Sequence, residues 1–390
     1  MAVGSVTIQN LLKHPYVVKV ISRQAAPGNP LQSFYGMGMG ANASMTLPAG
    51  MRAFTYDIFD STRQIGSIRA PEAGPKRIRR QRVGVGGGHL LRSYEAMNFS
   101  YEQIANMRPL GSSIGTLDRT GQAYVTRQIA YASERMKNLR EWVLTRMFRG
   151  SFTITLSGDD QYVSDSGGQI TVDFNHPSAN RGSLACGDSD ADIIDTLWSN
   201  TSADIVSQLL NLNKAAERRT GLPIEHVWIN STTLGYLINN TSLQAAGGAA
   251  FRVWETAEWK EMETVDGKSR RRGLDVRFRA IPWVSFHVFD GVLAPGTANV
   301  DTILPSSSEV DMVIPNGRAI MTPAPSASWL GFAQGTEIIQ KNYNTAPENV
   351  VGFTSWQMPT LNPFGRDLFL LDNFFPIPYI PAAWYYATVG

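Results

Sequence analysis

Five histidines, His14, His89, His176, His226 and His287, are the side chains best suited to proton transfer or metal ligation near neutral pH, and they stand far apart in the sequence. None belongs to a His-x-x-x-His or His-Glu-x-x-His pattern, and the one cysteine, Cys186, has no local histidine to share a metal with. Each therefore reads as structural. The run Gly84-Val85-Gly86-Gly87-Gly88-His89 could lay backbone amides against a phosphate, but it lacks the third glycine of a dinucleotide site and the Lys-Ser/Thr ending of a phosphate loop. Asp188, Asp190 and Asp192 imitate the start of a calcium loop, in which alternating carboxylates converge on one ion. Ile193 replaces the sharp-turn glycine and Ser199 the bidentate glutamate, so the segment reads as a solvated acidic turn. Asp159 and Asp160 sit at an expected hairpin tip with no acid-base partner nearby, and there is no Gly-x-Ser-x-Gly nucleophile elbow. The sequence supplies no candidate catalytic residue, no cofactor site and no metal site.

One cluster remains: Lys76, Arg77, Arg79, Arg80 and Arg82. Arginine forks pair bidentately with carboxylates, which favours contact with a neighbouring subunit. A solvated loop tip and a nucleic-acid contact are the other readings, the latter weakened by the lack of interleaved aromatics on which bases could stack. A second basic patch, Lys268 to Arg272, reads as an exposed turn.

The elements around this cluster are those of a large, apolar-surfaced chain. At 390 residues two to three domains are expected. Charged residues are 17% against a usual quarter or so, while aromatics reach 10%, so part of the surface is expected to lie against other chains. A formal charge of +2 argues against nucleic-acid binding by the whole surface. Met1 to Asn10 lacks the pattern of a secretory signal. Leu368 to Val389 is apolar enough for a membrane span, yet Asp372, Pro376, Pro378 and Pro381 would break the helix a span needs; it reads as buried extended strand.

Met1 to about Gly50 reads as an arm with one short helical pattern at Val6 to Leu12, because glycine at every second position from Gly36 to Gly40 disfavours helix and central strand alike. Alternation at Arg52 to Phe59 and at Arg92 to Ile104 predicts the two strands of a long loop, with Pro71, Gly74, Pro75 and the basic run at its far end. Such a ribbon is marginal alone, so docking on another subunit is expected to supply the missing burial. The firmest element is a helix from Asp118 to Phe148. Val125, Ile129, Ala132, Met136, Leu139, Val143 and Met147 fall within about 40° of one direction. Arg127, Glu134, Asn138, Glu141 and Thr145 fall on the opposite, polar face. Asp118 is the expected N-cap and Gly150 the stop, giving a rod of about 45 Å.

Beyond it, Ser151 to Leu156 and Gln169 to Phe174 predict a hairpin. A second helix is expected from Ala203 to Arg219, with Ser202 as cap, Asp204 in its first turn, Arg218 and Arg219 in its last, then Gly221. A strand at His226 to Asn230 and a helix from Thr232 to Asn239 follow, then strands at Val276 to Ala280, Trp283 to Phe289, Arg318 to Thr322 and Glu337 to Gln340. Helices and strands mix without βαβ repetition, which predicts an α+β fold.

In this order the pieces resemble the major capsid proteins of tailed bacteriophages, and among them the lambda-like major head proteins. The passage Met147-Phe148-Arg149-Gly150 into Phe152-Thr153-Ile154 is similar to the family's helix-to-hairpin junction. Trp198 ahead of Asp204-Ile205, then Gly221 and the strand His226 to Asn230, resembles the start of its axial domain, and Phe375-Pro376-Ile377-Pro378 with Val389 its closing segment. The glycine- and methionine-rich arm and the aromatic stretch Trp356 to Phe375 depart from the family pattern. The resemblance implies the tailed-phage major capsid fold: an N-terminal arm (1–52), an extended loop (53–115), a peripheral domain with spine helix and β-hairpin (116–186), a mixed α/β axial domain (187–328) and a return segment completing the peripheral domain (329–390). It implies a non-enzymatic shell subunit, assembled in a host cytoplasm with itself as pentamers and hexamers into the icosahedral head of a virion. Scaffold, portal and head-stabilising proteins are implied partners, and double-stranded DNA is enclosed without sequence-specific contact and without a membrane. A bacterial protein-cage shell of the same fold, or a nucleic-acid-binding protein using residues 76–82, are the alternatives.

Overall fold

The computed structural model describes residues 7–23, 29–39, 41–59, 83–100, 102, 103, 106, 119–155, 169–183, 194–246, 254–262, 270–293, 311–340, 346–361 and 364–390. Its architecture is α+β, built on one long helix and two large sheets. The helix runs Arg119–Arg149, and the expected apolar stripe lies in the core, with Leu139 half-buried and the other six residues buried. Gly150 ends it at φ +101°, its N–H donating back to the carbonyls of Arg146 and Met147. The expected cap, Asp118, lies outside the described residues.

The polar face is corrected by the structure. From Arg140 onward the helix is enclosed nearly all round, so Glu141 and Thr145 are buried rather than solvated. The reason is a covering segment that helical periodicity cannot reveal. The N-terminal arm is also more ordered than its glycines imply: helices His14–Arg23 and Pro30–Phe34 follow Ile8–Leu11. Ile8, Leu11, Leu12, Val17 and Val20 pack on Val125, Ile129 and Leu368, so the arm lies against its own long helix.

Beneath that helix lies a six-stranded sheet organised by one strand, Phe364–Pro378. It pairs antiparallel with Thr354–Leu361 on one side and Leu91–Ser100 on the other, then with Leu330–Ile339 at its C-terminal end. Alternation decides its faces: Leu368 and Leu370 meet the long helix, while Leu371 packs with Trp356 and Ile339 on the reverse. Burial on both sides explains the near-continuous apolar run that sequence alone leaves between strand and membrane span. No described helix is long and apolar enough to cross a membrane.

The seven-stranded sheet runs in the order Arg181–Ser183, Tyr385–Thr388, Arg318–Thr322, His226–Ile229, Ile281–Phe289, Arg270–Phe278, Trp254–Met262. One face (Val227, Ile229, Ala319, Met321, Phe286) packs on Leu209, Leu212 and Ala216 of helix Ile205–Thr220. The other (Trp228, Ile320 and the partly buried Tyr386) joins the core beneath the long helix. Helix Ile205–Thr220 is capped by Asp204, whose side chain accepts from the Ser207 N–H, and not by Ser202; Gly221 closes it at φ +75°. Arg270 to Arg272, expected in a turn, belong to strand Arg270–Phe278, because that strand pairs on both sides, with Trp254–Met262 and Ile281–Phe289.

Candidate functional site

The candidate contact residues Lys76, Arg77, Arg79, Arg80 and Arg82 lie outside the described residues, as does the acidic run Asp188 to Asp192. The flanks of the basic run are described, and they correct the expected pairing. Ala53–Phe59 pairs antiparallel with Val83–His89, the glycine-rich stretch, while Leu91–Ser100 joins the six-stranded sheet. Glycine is accepted in this strand because aromatic rings occupy the space its side chains would fill. A Cβ on Gly86 would lie 2.5 Å from the Tyr56 ring, and one on Gly88 2.5 Å from the Phe54 ring and 3.0 Å from Phe375. Gly88→Val is therefore expected to destabilise by about 1–3 kcal/mol through overpacking. Gly87→Val, with nothing within 4 Å of its Cβ, is expected to be near neutral. Thermal denaturation of both variants checks this; equal melting temperatures would refute the ring-over-glycine account.

Phe54 and Tyr56 belong to the main core, so the root of the ribbon packs on its own chain and does not need a neighbour for burial. The far end differs: Phe59, Val83 and Val85 are 38%, 51% and 67% exposed. Phe59 and Val83 are direct partners, so the segment carrying the basic run leaves and returns at that apolar end.

A second cluster, missed by sequence reasoning, fastens the arm. Arg140 forms a bidentate pair with Asp372 at 2.6 Å on each arm, and its Nη1 donates to the carbonyls of Met37 and Gly38 at 2.9 Å. Both partners are at most 3% exposed, and the guanidinium also lies 4.7 Å from the Phe374 ring centre. Next to it, Glu141 accepts from the backbone N–H groups of Leu31 and Gln32 at 2.8 and 3.0 Å.

Two histidines that stand apart in sequence meet in the fold. His226 Nδ1 and His287 Nε2 are 2.9 Å apart, and His287 Nδ1 is 2.7 Å from Asp275 Oδ1, because strands His226–Ile229 and Ile281–Phe289 are parallel neighbours. The ring nitrogen that would act as a base in a His-carboxylate dyad points at another imidazole, and Phe34 and Trp228 pack against the pair at 5.2 and 4.5 Å from His287. That arrangement orients the three side chains against one another at the margin of the core. Among the described residues that line the cleft of about 350 Å³, which include Phe34, Tyr35, Met37, Asn42, Ser44 and Phe332, there is no histidine, carboxylate, lysine or arginine. Among the described residues no three His, Cys, Asp or Glu side chains converge as a metal site. His176 is a core residue: its ring stacks on Trp384 at 4.8 Å, and burial pushes its pKa down to about 4.

No family model and no curated protein sequence matches the chain. Solved structures do. A protein assigned as the capsid protein of a prophage in E. coli CFT073 superposes with a TM-score of 0.54 at 10% identity, covering 99% of both chains. The chain has the phage capsid fold. The capsid of cyanophage P-SCSP1u (TM-score 0.42, 10% identity, 89% of this chain and 86% of that one) and a virus-like particle from Pyrococcus furiosus (0.39, 9% identity, 98% and 100%) are also similar. In the capsid fold of this chain, the long helix and six-stranded sheet form one body and the seven-stranded sheet with its helices another, joined through the shared core.

Proposed function

We propose that this protein is the structural subunit of a closed shell: a major capsid protein whose copies assemble as pentamers and hexamers into an icosahedral head enclosing double-stranded DNA. The observation that carries the reading is the full-length correspondence with the prophage capsid protein's fold, with 99% of each chain aligned. The exposed apolar end of the ribbon, Phe59, Val83 and Val85, supports it, since such a surface gains by being covered. Each interface in such a shell buries on the order of 1,600 Å², and closed symmetry multiplies modest contacts into a stable particle. In this reading Lys76, Arg77, Arg79, Arg80 and Arg82 contact a neighbouring subunit, no step of covalent chemistry is required, and the shell is assembled in the host cytoplasm, with scaffold, portal and head-stabilising proteins as partners.

The test is direct. The purified 42.9 kDa chain is expected to form uniform hollow particles by negative-stain microscopy and to sediment as large closed assemblies. A chain that stays monomeric at all concentrations and salt conditions would overturn the proposal. Particles from infected or induced cells are expected to contain DNA; particles filled with an enzyme would instead identify a protein cage of the same fold.

A further inference from the structure

Two adjacent residues of the long helix hold one short segment by opposite means. Residues 29–39 cross the helix with Leu31 and Gln32 donating their backbone N–H groups to Glu141 and with Met37 and Gly38 offering their carbonyls to Arg140. The Gln32 side chain adds a bond to the Lys137 carbonyl at 3.0 Å. Between these fastenings the segment reaches the other body: Tyr35 donates to Thr322 Oγ1 at 2.7 Å, and the Phe34 ring packs 4.7 Å from His226 and 5.2 Å from Trp228. Residues 29–39 are a strap tying the long helix, the six-stranded sheet through Asp372, and the seven-stranded sheet.

Only one of the two fastenings is a charge pair. Arg140 is matched by Asp372 at 2.6 Å. Glu141 is fully buried, and both its carboxylate oxygens accept from backbone amides of the strap itself. With the strap lifted, the carboxylate meets water and ionises as an ordinary glutamate; with the strap seated, desolvation favours the neutral form. We propose that seating of the strap 29–39 is coupled to proton uptake by Glu141, so that its hold on the helix tightens as pH falls below neutrality and loosens above it.

Burial raises the Glu141 pKa from the usual 4.5 to about 7, opposed by the two backbone bonds and the Gln32 side chain. The seated state therefore binds more protons than the lifted state between those values. Its extra stability is complete below about 4.5 and is lost as pH rises through about 7. The other charged or titratable groups around the strap are Lys137 one turn back on the helix, whose pKa burial lowers, then Arg140, Asp372 on the sheet, and Tyr35, His226 and His287 at the strap's far end. A histidine contribution would be shared by variants that leave those residues intact, so it is separable from that of Glu141.

Hydrogen-deuterium exchange of the full chain, followed in peptides covering residues 29–39 and corrected for intrinsic exchange, reads the coupling. The opening constant of wild type is expected to rise about tenfold from pH 6 to 8.5, while Glu141→Gln removes that difference. The same slope in both proteins, or no slope in wild type, overturns the proposal. Should the glutamine variant fail to fold, the carboxyl ¹³C titration of Glu141 in wild type decides: a midpoint near 7 supports the coupling, and one in the ordinary glutamate range refutes it. The inference holds whether or not the chain forms shells, so neither result bears on the assembly proposal.

Discussion

Replacing Arg140 with alanine is expected to destabilise the fold by about 3–5 kcal/mol, because it strands Asp372 as a buried, unpaired carboxylate. The same change deprives the Met37 and Gly38 carbonyls of their donor and removes the guanidinium from the face of Phe374. Urea unfolding of wild type and variant measures it. The double variant Arg140→Met, Asp372→Leu is expected to recover much of the loss, since removing both charges leaves an apolar pair beneath the helix and no orphaned ion. A single-variant loss under about 1 kcal/mol would mean that the pair is solvated in solution, contrary to the burial seen here.

The other large expected effect is on assembly. Deleting residues 71–82 removes the basic run and leaves both ribbon strands in place. The cut stops at Arg82 because Val83–His89 is laddered to Ala53–Phe59 and anchored in the core through Phe54 and Tyr56. The shortened chain is expected to keep its circular dichroism and melting temperature while particle yield falls tenfold or more. A loss of one decade corresponds to about 1.4 kcal/mol, less than a single hot-spot residue of an interface supplies, at about 2 kcal/mol or more. Normal yield from the shortened chain would show that the loop tip does not clamp neighbours.

What could be read from the chain divides along a physical line. The helix Arg119–Arg149, the helix Ile205–Thr220 and the hairpin after Gly150 were legible because their signals are local: a 3.6-residue stripe, caps, a stopping glycine. The ribbon's second strand is Val83–His89 and not Arg92 to Ile104, the segment its alternation favours. A glycine-rich stretch has poor strand propensity, and its acceptance here depends on rings from the partner strand folding over Gly86 and Gly88. Glu141 reads as solvated because its neighbours on the helix wheel are polar, whereas the segment that covers it lies 110 positions away along the chain. Two signals for the fastening were nonetheless present. Arg140 continues the apolar stripe four residues beyond Met136, and Asp372 is the one charged residue between Leu368 and Val389. A lone charge of each sign, at core positions of two elements bound to meet, marks a pair. The His226, His287 and Asp275 chain has no such marker, since parallel neighbours separated by two helices and a hairpin leave no trace in spacing.

The order in which the strands are synthesised has a consequence for the nascent chain. Phe364–Pro378 carries three ladders of the six-stranded sheet, and Tyr385–Thr388 fills an interior place in the seven-stranded one, so both sheets wait for segments that translation reaches late. A polypeptide stalled before Thr388 presents open edges and an unfilled core, a form that chaperones bind and proteases cut. Both cores therefore close only after these two strands have been made, and the order of synthesis couples the closing of one sheet to that of the other.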